Sequence, residues 1–338
     1  MTTSGARPRK ILVIAEIGST HDGSLGIARN SIEVAAGCGA DLVKFQTHLA
    51  EAETTRSAPP PPFFDAESRL DYFRRTGFTP AQWRALRGHA RQCGVGFLSS
   101  PFSVEAVALL EEIGIERYKV PSGEVTNVPL LEEIARTGKP VLLSSGMSAW
   151  REIDSAVEAI LRHHDRLTVL QCTSLYPCPY ERVGLDVMLA MAERYGTPVG
   201  LSDHTLTNFA AFAAAALGAA AIEKHFTLSR HLYGSDARHS AEPAQLRDLV
   251  EGVRAIEGML AARVDKDDLE PFLEMKRVFE KSVVSVVDIP CGTTITRAML
   301  GLKKPGTGIR PDRLGAVVGR RAARDLPADT VVTDRDLL

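Results

Sequence analysis

Ile11-Leu-Val-Ile-Ala-Glu-Ile17 closes on Gly18, and Leu25, Ala28, Ile32 and Ala35 then recur at three- and four-residue steps. A short, continuous apolar run that stops at a glycine reads as a buried strand, and the spacing after it reads as one face of a helix. This strand-then-helix unit recurs along the chain. Strands are predicted at 41–46, 95–99, 117–120, 140–144, 167–171, 198–201 and 221–224, and helices at 103–113, 128–137, 149–162, 185–194, 207–217 and 243–262. A further helix starts at Thr79-Pro80-Ala81-Gln82, with a capping threonine, proline at the first helical position and glutamine three residues after the cap. Eight units in about 265 residues predict an α/β protein built as a closed (β/α)8 TIM barrel rather than an open doubly wound sheet. No Gly-x-Gly-x-x-Gly follows the first strand, which weakens a dinucleotide-binding alternative. Residues 48–78 break the rhythm with Pro59-Pro60-Pro61-Pro62 and read as a long loop over the mouth of the fold.

Beyond the barrel, expected over residues 1–265, the pattern changes. A charged stretch containing Val264-Asp-Lys-Asp-Asp-Leu-Glu-Pro271 reads as a linker leading into a short helix, with the linker placed at 266–281. Residues 282–338 carry β-type runs at 283–287, 293–296 and 331–333 punctuated by Gly and Pro, which predicts a small β-rich domain. A domain of that size is marginal alone and is expected to lean on the barrel or on a neighbouring subunit.

Composition narrows the class of function. Of 338 residues, 44% are hydrophobic and 24% charged, as in an ordinary globular protein. Forty Lys and Arg against 42 Asp and Glu leave a net charge of −2, so no strong field recruits nucleic acid or an anionic membrane. No apolar run is long enough to span a bilayer, and the first ten residues have no signal-like apolar core. Five cysteines, an odd number with no Cys-x-x-Cys pair, fit a reducing compartment, so a cytoplasmic location is expected.

In barrel enzymes the chemistry sits at the C-terminal ends of the strands. Here those ends carry Glu16, Lys44 and Gln46, Ser99 and Ser100, Lys119 with Ser122 and Glu124, Ser144 and Ser145, Gln171 to Ser174 with Tyr176, Ser202 to His204, and Glu223 to His225. Any one of them alone reads as a solvated or packing residue; their convergence on one mouth is what points to function. Lys44, Lys119, Ser100, Ser122 and Ser144 supply the charge and donors that a phosphate and a carboxylate need. His204 and His225 lie one barrel unit apart, so adjacent strand ends place them side by side. With Glu16 nearby they suit a divalent cation, Mn2+ before Mg2+ or Co2+, with water or substrate oxygen completing the shell. A structural zinc site and a Ser-His-Asp hydrolase are disfavoured, because neither thiolate ligand spacing nor a Gly-x-Ser-x-Gly elbow is present. Cys172 reads as a packing residue rather than a nucleophile.

Ala15-Glu-Ile-Gly18 with His21-Asp-Gly23, Val43-Lys-Phe-Gln-Thr47, Ser100-Pro-Phe-Ser103, Tyr118-Lys-Val-Pro-Ser-Gly-Glu124, Leu143-Ser-Ser-Gly-Met147, Cys172-Thr-Ser-Leu-Tyr-Pro177, Gly200-Leu-Ser-Asp-His-Thr205 and Glu223-Lys-His-Phe-Thr227 resemble the sialic acid synthases. Lys304-Pro-Gly-Thr-Gly308 and Gly319-Arg-Arg-Ala322 resemble their appended SAF (antifreeze-like, β-clip) domain. The resemblance implies condensation of phosphoenolpyruvate with an open-chain N-acyl hexosamine and release of phosphate. N-Acetylmannosamine is the favoured acceptor and a legionaminate-type sugar the alternative. It implies metal ligands His204 and His225, and phosphoenolpyruvate contacts from Lys44, Ser100, Lys119, Ser122, Ser144 and Ser174. It turns Gln46, Tyr176 and Asp236 to the sugar and makes Glu16 and Glu124 the acid–base carboxylates. It further implies a homodimer whose small domains swap, with Lys304 at the position where many members carry the arginine that meets the acyl group. Thr20 and Ser174 depart from the asparagines found in some members. Readings of other classes are a non-catalytic sugar- or metal-binding barrel, a metal-dependent pyruvate aldolase and a Schiff-base aldolase acting through Lys119 or Lys44.

Overall fold

The computed structural model describes residues 10–59 and 67–338. Residues 60–62 of the proline run lie outside that range. Eight parallel strands close into a barrel in sequence order. They are β1 (Leu12–Gly18), β2 (Leu42–Thr47), β3 (Gly96–Pro101), β4 (Tyr118–Val120), β5 (Val141–Ser144), β6 (Leu167–Cys172), β7 (Val199–Asp203) and β8 (Ala221–His225), with β8 pairing back onto β1. The helices of the barrel unit are α1 (Leu25–Gly37), α2 (Ala50–Glu53), α3 (Arg69–Thr76), α4 (Pro80–Gln92), α5 (Val104–Ile113), α6 (Val128–Arg136), α7 (Trp150–Leu161), α8 (Leu185–Tyr195), α9 (Phe209–Ala216) and α10 (Pro243–Ala261). α4 begins with the capping box read from sequence: Thr79 Oγ1 accepts from the Gln82 amide, and Gln82 Oε1 accepts from the Thr79 amide.

The segment 48–78 is not simply a loop. α2 and α3 form within it, and Ala50, Tyr72 and Phe73 build a small apolar cluster of their own. These helices, of four and eight residues, are too short for a helical period to stand out in the sequence.

A strand turns alternate side chains to opposite faces. Outward residues such as Val13, Ala15, Ile17, Val43, Phe45, Tyr118 and Val120 join the main core against the helices. Inward, Ile14, Leu42, Leu98, Leu142, Leu170 and Ala221 form a separate apolar floor inside the barrel. The pleat therefore decides what stands two and four residues above that floor.

Contacts divide the chain into two units, Met1–Ala262 and Arg263–Leu338. The second unit contains α11 (Leu273–Phe279), where a short helix was expected to follow the charged linker, and an antiparallel pair, β9 (Ser282–Ser285) with β10 (Leu300–Lys303). The runs at 293–296 and 331–333 make isolated bridges, Thr294 with Arg321 and Val284 with Val331, rather than longer strands. A core of Val283, Ile289, Ile295, Leu300, Ile309, Val317, Ala322, Leu326 and Val332 holds this unit.

Candidate active site

Two residues above the apolar floor, the sequence places Glu16, Lys44, Ser100, Ser144, Cys172 and Glu223, and β4 adds Lys119. All seven are buried. Two lysines and two carboxylates thus share a space with little water, which forces them to pair. Lys44 Nζ lies 2.6 Å from Glu16 Oε2, Lys119 Nζ 3.1 Å from Glu223 Oε1, and Lys44 also faces Glu223 at 3.8 Å. Ser202 donates its hydroxyl to Glu223 Oε1 at 3.2 Å. Burial alone would push Glu223 up and Lys44 down. The surrounding opposite charges outweigh it: Lys119 and Lys44 hold Glu223 well below the usual glutamate range, and Glu16 with Glu223 raises Lys44 above the ordinary lysine range. Burial pushes the Cys172 thiol up, which suits packing rather than nucleophilic attack.

The hydroxyls of Ser100 and Ser144, together with Glu223 Oε2 and His225 Nδ1, are buried and have no hydrogen-bond partner among the described residues. Buried polar atoms without partners are costly, and together at a barrel mouth they suit a polar ligand.

Four residues above the floor comes the rim: Gly18, Gln46, Gly146, Ser174, His204 and His225. A Cβ on Gly18 would stand 2.8 Å from Asp236 Oδ2, 3.3 Å from Glu16 Oε1 and 3.4 Å from Gln46 Nε2, so this glycine marks the point where those three side chains meet. Gln46 donates to Glu16 at 2.7 Å, and Asp236 accepts from the Ser19 hydroxyl at 2.8 Å. A Cβ on Gly146 would run into Ser174 Oγ and Ser122 Oγ, which places those two hydroxyls at one point. Ser122 Oγ also lies 3.5 Å from Cys172 Sγ.

The imidazoles of His204 and His225 are 5.5 Å apart, centroid to centroid, and Tyr176 lies against both, at 4.1 and 5.9 Å. His204 Nδ1 is 2.8 Å from the Thr173 carbonyl, an acceptor only, so Nδ1 carries the hydrogen and Nε2 offers a lone pair. Burial, reinforced by His225, drops His204 to about 3 and keeps it in the neutral form a metal requires. The carbonyl behind one ring and the unpartnered nitrogen on the other fit a divalent cation. Glu16 lies beside the pair, as the register partner of His225 across β1 and β8, and its carboxylate is engaged by Lys44 and Gln46. No cluster of three or more His, Cys, Asp or Glu side chains at metal spacing occurs among the described residues, so such an ion would have two protein ligands and open positions.

Glu124 sits in the turn after β4, where its carboxylate accepts from Asn127 at 2.8 Å. Burial raises it above the usual glutamate range. Lys304 lies in the second unit, exposed, 5.1 Å from the centre of the Phe279 ring. His21, part of the first motif, packs on Phe78 at 4.6 Å and accepts from the Gly23 amide; burial lowers it to about 4, so it shapes the turn after β1 as a neutral ring.

The residue reading left Glu223, Ser202 and His48 without roles. Strand pleat is the signal that finds the first two, since both fall on the inward register. His48 bonds Gln46 Oε1 at 3.0 Å and Glu53 at 2.7 Å while stacked between Phe73 and Phe102. It could not be found without knowing that α2 and α3 exist.

Residues 31–265 match the NeuB family and residues 280–338 the SAF domain. An N,N'-diacetyllegionaminic acid synthase of Campylobacter jejuni is 35% identical over 96% of this chain and 100% of its own length. A pseudaminic acid synthase of Helicobacter pylori is 32% identical over 96% and 97%. The crystal structure of an N-acetylneuraminic acid synthetase from Leptospira borgpetersenii, solved in complex with citrate, superposes with a TM-score of 0.71 at 28% identity, covering 82% of this chain and 95% of that one. No helix among the described residues is long and apolar enough to cross a membrane. With the barrel, the ordered strand-end motifs and these similarities together, the chain belongs to the NeuB family, the sialic acid synthases, and carries their SAF domain.

Proposed function

We propose that this chain is a nonulosonic acid synthase that joins C3 of phosphoenolpyruvate to the aldehyde carbon of an open-chain N-acyl hexosamine. The observation that carries the reading is the inner ring: two buried ammonium groups and two unpartnered serine hydroxyls beneath a rim with paired imidazoles. That arrangement suits an anionic three-carbon donor below and a polarised sugar aldehyde above.

Lys44 and Lys119 would meet the phosphate and carboxylate of the donor, with donors from Ser100, Ser122, Ser144 and Ser174. Donor binding would exchange their present carboxylate partners for substrate oxygens. His204 and His225 would hold a divalent cation, Mn2+ by preference, which when bound supplies Lewis acidity and a template for both reactants. Gln46, Tyr176 and Asp236 would orient the sugar, and Glu16, reached through Gln46, would exchange a proton with the new hydroxyl. Attack leaves positive character at C2 of the former enolpyruvate. Water adds there, Glu124 takes its proton, and the tetrahedral adduct expels phosphate with both lysines stabilising the departing charge. Lys44 is held as an ammonium ion, which disfavours imine chemistry at that residue.

N-Acetylmannosamine is the first acceptor to test. A second reading, a diacetamido hexose, is favoured by the Campylobacter relative, whose product carries two acetyl groups by name. We further propose a homodimer in which Lys304 acts at the partner's barrel. The experiment is a panel of N-acyl hexosamines assayed for phosphate release, with and without chelator. Release that requires both phosphoenolpyruvate and one acceptor, stops with EDTA and returns with Mn2+ is expected. Turnover of pyruvate without phosphate release would replace this reading with an aldolase.

A further inference from the structure

Asp203 and Lys224 each stand one residue before a rim imidazole, and they are register partners across β7 and β8. The pleat that turns His204 and His225 inward turns these two outward, behind the sheet. Both are buried, and Lys224 Nζ lies 2.6 Å from Asp203 Oδ2. The same ammonium donates to the Thr205 carbonyl at 2.7 Å, while the Thr205 amide donates to Asp203 Oδ1 at 2.8 Å. Lys224 therefore grips the residue before His204 by its side chain and the residue after it by its backbone. The grip originates next to His225, so it ties one imidazole to the other from behind.

An ion pair in this position is a poor source of net stability. Two charges lose their hydration, and an apolar pair of similar volume is often as stable. What the pair supplies is a fixed distance and direction between two strand ends. We propose that Asp203 and Lys224 are positioning residues that set the separation and aim of His204 and His225, and through them the affinity for the divalent cation between the rings. The inference rests on the reading of that histidine pair as metal ligands.

The test is Mn2+ binding to the full-length, substrate-free protein, read by loss of the free-ion electron paramagnetic resonance signal, so turnover is not needed. Asp203→Asn combined with Lys224→Met removes both charges and leaves neither unpaired. This variant is expected to keep its circular dichroism spectrum and cooperative melting while binding Mn2+ at least about tenfold more weakly. Asp203→Glu, which keeps both charges and moves the carboxylate by one methylene, is expected to weaken binding less and carries the test if the double variant does not fold. A folded variant that binds Mn2+ as tightly as the wild type overturns the inference while leaving the metal reading intact. A wild type that binds no Mn2+ overturns both.

Discussion

Gly18 is the point where Asp236, Glu16 and Gln46, the proposed acceptor side of the site, meet. Its φ of +53° lies in the left-handed region, and any side chain would press on Asp236 and Glu16. Gly18→Ala is expected to lower stability by about 1–2 kcal/mol from backbone strain and to raise KM for the sugar while KM for phosphoenolpyruvate stays nearly constant, as calorimetry and steady-state kinetics would record. Equal loss on both substrates would contradict the division of the site between Lys44 below and Asp236 above. Glu124 makes a second prediction. Glu124→Gln is expected to keep substrate binding and lose turnover by about a hundredfold or more; near wild-type phosphate release would contradict its role as base. Burial raises Glu124, and a base must be ionised, so the acid limb of kcat should lie at higher pH than an ordinary glutamate gives. A carboxyl raised on folding stabilises the protein only while protonated and loses that contribution as pH rises through its folded value. Glu124→Gln should therefore melt no lower than wild type at neutral pH.

At the scale of elements, α2 and α3 reach the chemistry through one ring. His48 links Glu53 of α2 to Gln46, and Gln46 donates to Glu16. His48→Phe keeps the aromatic stack on Phe73 and Phe102 but frees the Gln46 amide to rotate. With hydrogen bonds contributing about 1 kcal/mol each, KM for the acceptor should rise roughly fivefold or more, with little change in KM for phosphoenolpyruvate; a structural loss alone would instead lower the melting temperature and leave both constants in place. This connection also shows where sequence reading stopped. The strands were legible because continuous apolar runs are what a parallel sheet covered on both faces requires. Polar strand ends were legible because a barrel gives such residues no other common location. The sorting of those ends by pleat was equally available, and it separates inward Glu223 from outward Lys224, but a Glu-Lys-His run read without its register gives no direction. α2 and α3 were hidden for a different reason: four- and eight-residue helices carry too few turns for periodicity to rise above the polar background.

For the whole molecule, the division into barrel and small unit raises the question of which barrel Lys304 serves. The change of pattern near residue 262 was visible as a loss of helical spacing, whereas the β-type runs overstated the strands. Gly and Pro there yield isolated bridges around a compact core rather than a broad sheet. Lys304 is exposed, with its ammonium over the Phe279 ring. If the small unit exchanges between subunits, two crippled chains can repair each other. On the proposed roles, Lys304→Ala would lack the acceptor contact and Lys119→Met the donor contact. In a mixed dimer with exchanged small units, both defects fall at one mouth and the other mouth is complete. Random reassociation after mixing equal amounts should then restore about a quarter of wild-type activity from two nearly inactive proteins. Should Lys304 serve its own barrel, every mouth in the mixture carries one defect, and activity stays at the level of the separate variants. Co-purification of untagged Lys119→Met with affinity-tagged Lys304→Ala, measured on the same samples, would show that mixed dimers had formed, so that silence in the mixture means service in cis.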